Sequence, residues 1–154
     1  MSILTYPLGF IGGGVDPYGL TLYNGVMENS LQLDFPTGPV LEFTPSTAGN
    51  RKTWTWSGWI KRGTLGESQN IFYAAGGDYI MIQSGNLLVF SWATEGSGNV
   101  VSSSVLRDPS AWYHIVMAYD STNSSADGRF KMYLNGKEPP RGTNSPPSQN
   151  HQGV

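Results

Sequence analysis

The sequence predicts an all-β fold, an antiparallel sandwich of many short strands. Only 13% of the 154 residues are charged, whereas the chain holds 20 glycines and 10 prolines, a composition typical of proteins with many turns. Short segments of alternating apolar and polar residues recur along the chain, and turn residues separate them. No segment has a convincing helical period, so we expect strands rather than helices.

Nine segments have the length and composition of strands, with Gly, Pro, Asn or Asp in most of the gaps between them. The segment at 112–119 is apolar on both faces, so we expect it to be a central strand covered on both sides. The nine predicted strands are 31–35, 40–43, 53–61, 70–74, 79–83, 87–93, 100–106, 112–119 and 129–135.

Alternation within these strands predicts which side chains form the core. In the strand at 53–61, Trp54, Trp56 and Ile60 share one face, and Trp59 lies on the other. The predicted core is Trp54, Trp56, Ile60, Trp112, Val116, Phe130, Met132 and Leu134.

Composition divides the chain into three parts. Residues 1–30 read as an extended N-terminal arm in which glycines separate single aromatic residues, residues 31–138 form the sandwich, and residues 139–154 are a polar, Pro-rich tail or the start of a linker to a longer chain. Neither end can bury enough of its own surface to stay fixed on an isolated monomer. We therefore expect both ends to contact other chains, and the expected anchors in the arm are Tyr6, Phe10, Tyr18 and Tyr23.

Charge and cysteine content exclude several classes of function. The net charge of −2 argues against a nucleic-acid partner, which would require a surplus of Lys and Arg. No apolar run approaches the ~20 residues that span a bilayer, so we expect no membrane insertion. The chain has no cysteine, so its fold does not depend on disulfides.

Three motifs resemble a known family. They are Trp-Ile-Lys-Arg at 59–62, Asp-Pro-Ser-Ala-Trp-Tyr-His at 108–114, and Tyr-Leu-Asn-Gly at 133–136. In this order they resemble the laminin G-like, concanavalin A-like jelly roll, most closely the version found in tail-fibre and other virion proteins of marine bacteriophages. Domains of that family continue past the last motif to a final strand with an aromatic-x-Gly pattern. No such pattern follows here, so we expect a strand that is missing or supplied by another chain, which would lie against the open edge.

The resemblance implies a non-enzymatic structural or attachment protein of a phage virion. A tail fibre or spike component is the first expectation, a homo-oligomer that would be a trimer, docked on other virion proteins through the arm and the tail. A capsid decoration or head-fibre protein and a carbohydrate-binding, lectin-like module remain alternatives. The first basic residue is Arg51, which argues against a secretory signal peptide and agrees with assembly in the host cytoplasm.

A host-surface glycan is the candidate ligand of this face, because sugar sites commonly use an exposed aromatic platform with polar neighbours. The alternative is that loops or a second protein cover the same face. The candidate platform residues are Trp59, Trp92 and Tyr133, with Arg62, Arg107 and Arg129 as hydrogen-bond donors.

Catalytic and metal sites have little support in the sequence. Retaining glycoside hydrolysis needs two carboxyl groups only ~5 Å apart, and no acidic residue here has another two positions away on a strand. We expect His114 to be a scaffold residue, and His151, in the polar tail, carries no signal of a functional site. We expect no cofactor, because no motif organises the oxygen donors, and calcium, which relatives often bind, is the alternative. Those donors are Asp78, Asp108, Asp120, Asn123 and Asp127.

Overall fold

The computed structural model describes residues 40–74, 76–92 and 98–153. The chain divides into two compact units, residues 1–44 and residues 45–154. The strand predicted at 31–35 and the arm anchors Tyr6, Phe10, Tyr18 and Tyr23 lie outside the described residues.

The described part of the first unit is not a strand. Residues 40–44 have no regular secondary structure, and Val40, Leu41 and Phe43 are exposed to solvent. The strand predicted at 40–43 is therefore wrong, because no described strand pairs with this short apolar run.

Within its described residues, the second unit contains eight strands and one short 3-10 helix at Ala126–Gly128. All the strands pair antiparallel, in a three-stranded sheet of order β1-β6-β7 and a five-stranded sheet of order β2-β3-β4-β5-β8. The described residues include no helix of the length and apolar character needed to cross a membrane. The strands are β1 (Thr53–Lys61), β2 (Gln69–Tyr73), β3 (Tyr79–Ile82), β4 (Leu87–Trp92), β5 (Gly98–Val105), β6 (Trp112–Asp120), β7 (Phe130–Leu134) and β8 (Arg141–Asn144).

The two sheets enclose one apolar core, which confirms the predicted β-sandwich. Phe90 of β4 stacks on Phe130 of β7 with ring centroids 4.5 Å apart, and it also contacts Trp54 and Tyr119, so aromatic pairs join the sheets. Burial of such large side chains is the main stabilising contribution in a domain without disulfides. The core cluster is Ile80, Ile82, Leu88, Phe90, Trp92, Val100, Leu106, Tyr113, Ile115, Met117, Tyr119, Phe130 and Met132.

The predicted core is correct in β1 and β7 and wrong in β6. Phe130 and Met132 are fully buried, and the other predicted residues of β1 and β7 pack against the cluster. In β6, however, the buried positions are the odd-numbered ones from Tyr113 to Tyr119, so Trp112 and Val116 lie on the opposite face. Because both faces of β6 are apolar, alternation alone does not choose between them.

A tight turn at Asn135 and Gly136 ends β7. Both residues have positive φ, 51° and 78°, and the backbones of Leu134 and Lys137 exchange two hydrogen bonds around them. Positive φ at both central positions is the type I′ geometry, which matches the twist of a hairpin and favours the Asn-Gly pair. The turn reverses the chain and leads it towards β8.

The prediction of a missing strand is wrong, because the chain itself forms strand β8 after the last motif. It pairs with β5 through Val100–Asn144, Val101–Thr143 and Ser102–Arg141. Its sequence, Arg-Gly-Thr-Asn, has no apolar residue and is mostly exposed, so neither composition nor alternation reveals it. Pairing with β5 defines this strand.

The segment after β8 is held by its own sandwich, although the sequence predicts that contacts with other chains hold it. His151 is 1% exposed, and its Nδ1 shares a hydrogen bond of 2.6 Å with the Tyr119 hydroxyl. The Ser121 hydroxyl donates to the His151 carbonyl at 2.6 Å, and the Gly153 amide donates to the Arg51 carbonyl at 3.1 Å. Residues 145–153 are therefore fixed on their own domain, by buried hydrogen bonds and by the fully buried Pro147.

Candidate functional site

The candidate site is the outer face, which we define as the side of β1, β6 and β7 that points away from the core. Pairing of the strands brings their outward side chains into rows. These rows are Lys61 with Trp112, Trp59 with His114, Ser57 with Val116 and Tyr133, and Thr55 with Ala118 and Lys131.

An aromatic pair occupies the middle of the outer face. Trp59 stacks on His114, with ring centroids 4.8 Å apart and planes inclined by 27°. The ring nitrogen Nε2 of His114 shares a 3.1 Å hydrogen bond with the Ser57 hydroxyl. His114 is thus held between a polar and an aromatic neighbour, and it holds Trp59 against the sheet.

A second indole extends this surface. Trp112 is 52% exposed and Trp59 is 43% exposed, high values for the largest aromatic side chain. Trp112 lies two residues before His114 on β6, so it projects from the same face one pleat away from the stacked pair. Lys61, opposite Trp112, adds an exposed ammonium group beside it.

The other end of the outer face is more polar. Tyr133, half-buried, lies in the row of Ser57 and Val116. Beyond it is a shallow depression of about 400 Å³, whose outward-facing lining includes Thr53, Thr55, Ala118, Asp120 and Lys131. The face therefore runs from an aromatic end to a hydroxyl-rich end.

A family model described as the concanavalin A-like lectin/glucanases superfamily matches residues 37–153, about three quarters of the chain. The chain belongs to this superfamily. The match continues through β8 and His151, so the Pro-rich segment is part of the family domain. Neither the curated proteins nor the solved structures contain a match to the chain.

Within this concanavalin A-like domain, the three candidate platform residues do not lie together. Trp59 and Tyr133 share the outer face, whereas Trp92 is 3% exposed and packs in the core against Phe90, with ring centroids 5.7 Å apart. The assignment of Trp92 to a ligand groove is therefore wrong. The reason is the position of Trp92 on β4, where alternation puts it on the same buried face as Leu88 and Phe90.

Trp112 is the aromatic residue of the outer face that sequence reasoning assigned to the core. Both faces of β6 are apolar, so alternation did not reveal the outward position of Trp112, which follows from the pairing of Trp112 with Lys61. The expected scaffold role of His114 agrees with its two contacts, to Trp59 and to Ser57.

Two of the three candidate arginines form hydrogen bonds within the concanavalin A-like domain and have structural roles. Arg62 is 4% exposed and donates to the Asn86 side chain at 2.6 Å and to the Leu106 carbonyl at 2.8 Å. Burial lowers the pKa of the Arg62 guanidinium below its ordinary value. Arg129 donates to three backbone carbonyls. Arg107 is exposed.

Two of the oxygen donors considered for calcium, Asp108 and Asp120, accept hydrogen bonds within local turns. Asp108 accepts hydrogen bonds from the hydroxyl and the amide of Ser110, which lower the pKa of Asp108. Asp120 accepts from the amide and hydroxyl of Thr122 in the same way. Across the described ranges, no three His, Cys, Asp or Glu side chains come together as metal ligands.

The number of carboxylates on the outer face bears on glycoside hydrolysis. Asp120 is the one carboxylate among its described residues, and its Oδ1 already accepts from Thr122. Retaining hydrolysis requires a second carboxyl group ~5 Å away. What the face offers chemically is ring stacking and hydrogen bonding.

Proposed function

We propose that this concanavalin A-like domain is a non-enzymatic, lectin-like attachment module that binds glycans on its outer face. The observation that carries the proposal is the Trp59–His114 stack, which presents a 43% exposed indole next to the 52% exposed indole of Trp112. Exposed apolar surface of this kind marks an interaction site, and an amphipathic ring suits a ligand that is apolar on one face and polar at its edge. A sugar ring is such a ligand.

The polar side chains of the outer face support the same ligand class. Ser57, Thr55 and the Tyr133 phenol offer hydroxyl groups, and Lys61 offers an ammonium group. Hydroxyl groups both donate and accept, as the hydroxyls of a sugar require. Asp120 is the one carboxylate that the described strand residues bring to this face, and we propose binding without turnover.

A panel of immobilised bacterial surface polysaccharides tests the proposal. Trp59→Ala and Trp112→Ala are each expected to weaken binding about tenfold, equivalent to about 1.4 kcal/mol. Tyr73→Ala is the matched control, because Tyr73 is a 60% exposed aromatic residue on β2 of the other sheet. Equal binding by all four proteins would refute the assignment of the face, and ligand turnover by the wild type would refute the non-enzymatic role.

We also propose that the module acts on a phage virion, as part of a tail fibre or spike assembled in the host cytoplasm. Support comes from the three motifs at 59–62, 108–114 and 133–136, which resemble those of virion proteins. A homotrimer docked through the arm at residues 1–30 is the corresponding assembly, with a capsid decoration protein as the alternative.

Purified particles test this placement. A parent chain in the virion with an intact mass far above 16.7 kDa would indicate a fibre, and a mass of 16.7 kDa a decoration protein. Deletion of residues 1–24 is expected to leave a folded domain that no longer joins the particle. Normal incorporation of the truncated protein would exclude docking through the arm.

A further inference from the structure

Asn135, in the turn that follows β7, makes two hydrogen bonds to the backbone of His114 on β6. Its amide N–H donates to the His114 carbonyl at 2.8 Å, and its side-chain Oδ1 accepts from the His114 amide at 2.9 Å. We propose that Asn135 is a positioning residue of the outer face, which fixes His114 and, through the ring stack, the Trp59 indole. The inference rests on the proposed function, in which this indole is the binding platform.

The Asn135 side chain takes the place of a backbone carbonyl. The pairing of Ile115 with Leu134 puts His114 opposite Asn135 in the register of β6 and β7. A hydrogen-bonded pair in an antiparallel sheet exchanges two N–H···O=C bonds. Asn135 has a φ of 51°, so its backbone has left the strand, and its Oδ1 accepts from the His114 amide instead. The side chain thus extends the ladder one residue beyond the end of β7.

These two bonds also determine how His114 faces Trp59 on β1. Because the N–H and C=O of His114 both point to Asn135, they point away from β1, and Trp59 and His114 form a non-hydrogen-bonded pair. Side chains of such a pair lie closer together than those of a hydrogen-bonded pair, in agreement with the 4.8 Å between the two ring centroids. A change in the bonding of Asn135 therefore reaches the indole through a single residue.

The position of Asn135 along β6 gives its side chain further weight. The described ladder between β6 and β7 begins at Ile115. Trp112 and His114 lie beyond it, where β1 is the strand that pairs with them. The Asn135 side chain therefore supports, from the side opposite β1, the segment of β6 that carries the aromatic end of the outer face.

Three substitutions in this turn separate positioning from turn stability. Asn135→Gly keeps a residue that tolerates positive φ and removes the side-chain acceptor. Asn135→Asp keeps an acceptor oxygen on a residue type that also occurs at positive φ. Gly136→Ala is the matched control: it strains the same turn, because Gly136 has a φ of 78°, and it leaves the Asn135 side chain in place.

The experiment measures the hydrogen-exchange rate of the His114 amide, the NMR signal of the Trp59 indole N–H, and the calorimetric affinity for the surface polysaccharide that binds best. In Asn135→Gly the His114 amide should exchange about tenfold faster, the Trp59 signal should shift, and the affinity should fall by about threefold to tenfold. Asn135→Asp should restore all three to near wild-type values. Gly136→Ala should lower the free energy of unfolding and leave all three readouts near those of the wild type.

Wild-type exchange and an unmoved Trp59 signal in Asn135→Gly would overturn the positioning role. Equal losses in Gly136→Ala would also overturn it, because the turn and not the side chain would then set the platform. Equal losses in Asn135→Asp would exclude the acceptor oxygen as the cause. Unchanged affinity despite a shifted Trp59 signal would break the link between Asn135 and binding.

The exchange rate and the indole signal need no ligand, so the inference and the proposed function fail in different ways. If both change as expected while the wild type binds no polysaccharide, the proposed function is overturned and Asn135 still positions the His114–Trp59 pair.

Discussion

Trp59 stacks on His114 across β1 and β6, with ring centroids 4.8 Å apart, and a hydrogen bond to Ser57 fixes the far side of the imidazole. The indole is therefore held in place without a ligand. A side chain that is already ordered loses less conformational entropy on binding, so this pair prepares the surface for a flat partner.

Replacement of His114 should test whether the ring stack orders the Trp59 indole for ligand binding. In His114→Ala the indole loses its stacking partner, worth ~0.5–1.5 kcal/mol, so glycan affinity should fall by up to about tenfold with little change in the fold. His114→Phe keeps a ring in place and should restore most of the affinity. Calorimetry measures the affinity, and circular dichroism checks the fold. Equal loss in the Ala and Phe variants would show that the ring stack is not what matters.

An aromatic residue of the core and one of the outer face should contribute very different amounts to the stability of the fold. Phe130→Ala removes the ring that joins the sheets through Phe90 and should cost ~3–5 kcal/mol in the free energy of unfolding. Trp112→Ala, on the outer face, should cost less than ~1.5 kcal/mol. Urea unfolding of both variants gives the comparison. If Trp112→Ala were the more destabilising, the register of β6 would be wrong.

The C-terminal segment should contribute to stability through Tyr119 and His151. Tyr119→Phe removes the hydroxyl that shares a 2.6 Å hydrogen bond with a buried ring nitrogen, so the cost should be ~1–3 kcal/mol. Tyr73→Phe, at an exposed position, is the control. Unfolding curves of Tyr119→Phe and Tyr73→Phe that superimpose on that of the wild type would mean that this contact does not hold the segment.

Acid should weaken a small ion-pair network on β7 and β8. Burial alone would raise the pKa of Glu138, but the hydrogen bond from Arg141 and the charge of Lys131 lower it below its ordinary value. A carboxylate whose pKa is lower in the folded state adds stability above its unfolded pKa, and this contribution is lost as the pH falls through the folded pKa.

Glu138→Gln should therefore destabilise the domain near neutral pH and not in acid. The effect should be at most about 1 kcal/mol, because the pair is solvent-exposed and screened. Chemical unfolding of wild type and variant across the acid range provides the measurement. A difference that grows towards low pH would contradict the assigned direction of the pKa shift.

The sequence was sufficient to predict the sandwich and much of its core. Strands such as β1 and β7 alternate clearly, so Trp54, Ile60 and Phe130 were assigned to the correct face. In β6 the apolar residues continue on both faces, and only the register with β1 decides that Ile115 rather than Val116 is buried.

Other features depend on contacts between distant parts of the chain. Strand β8 has no apolar residue, and its pairing with β5 gives it its structure. His151 lies in a polar, Pro-rich segment. It is buried because its ring nitrogen shares a hydrogen bond with the Tyr119 hydroxyl and its carbonyl accepts one from the Ser121 hydroxyl. Half of the candidate site was predictable, because alternation along β1 placed Trp59 on the outward face. The outward position of Trp112 could be read only from the folded structure.

The most direct test of the outer face follows the indole N–H signals of the five tryptophans by NMR during titration with the glycan that binds best. We expect the signals of Trp59 and Trp112 to shift with the calorimetric affinity, and those of Trp54, Trp56 and Trp92, which pack in or against the core, to stay unchanged. Binding detected by calorimetry that leaves the Trp59 and Trp112 signals unmoved would contradict the proposal that this face holds the ligand.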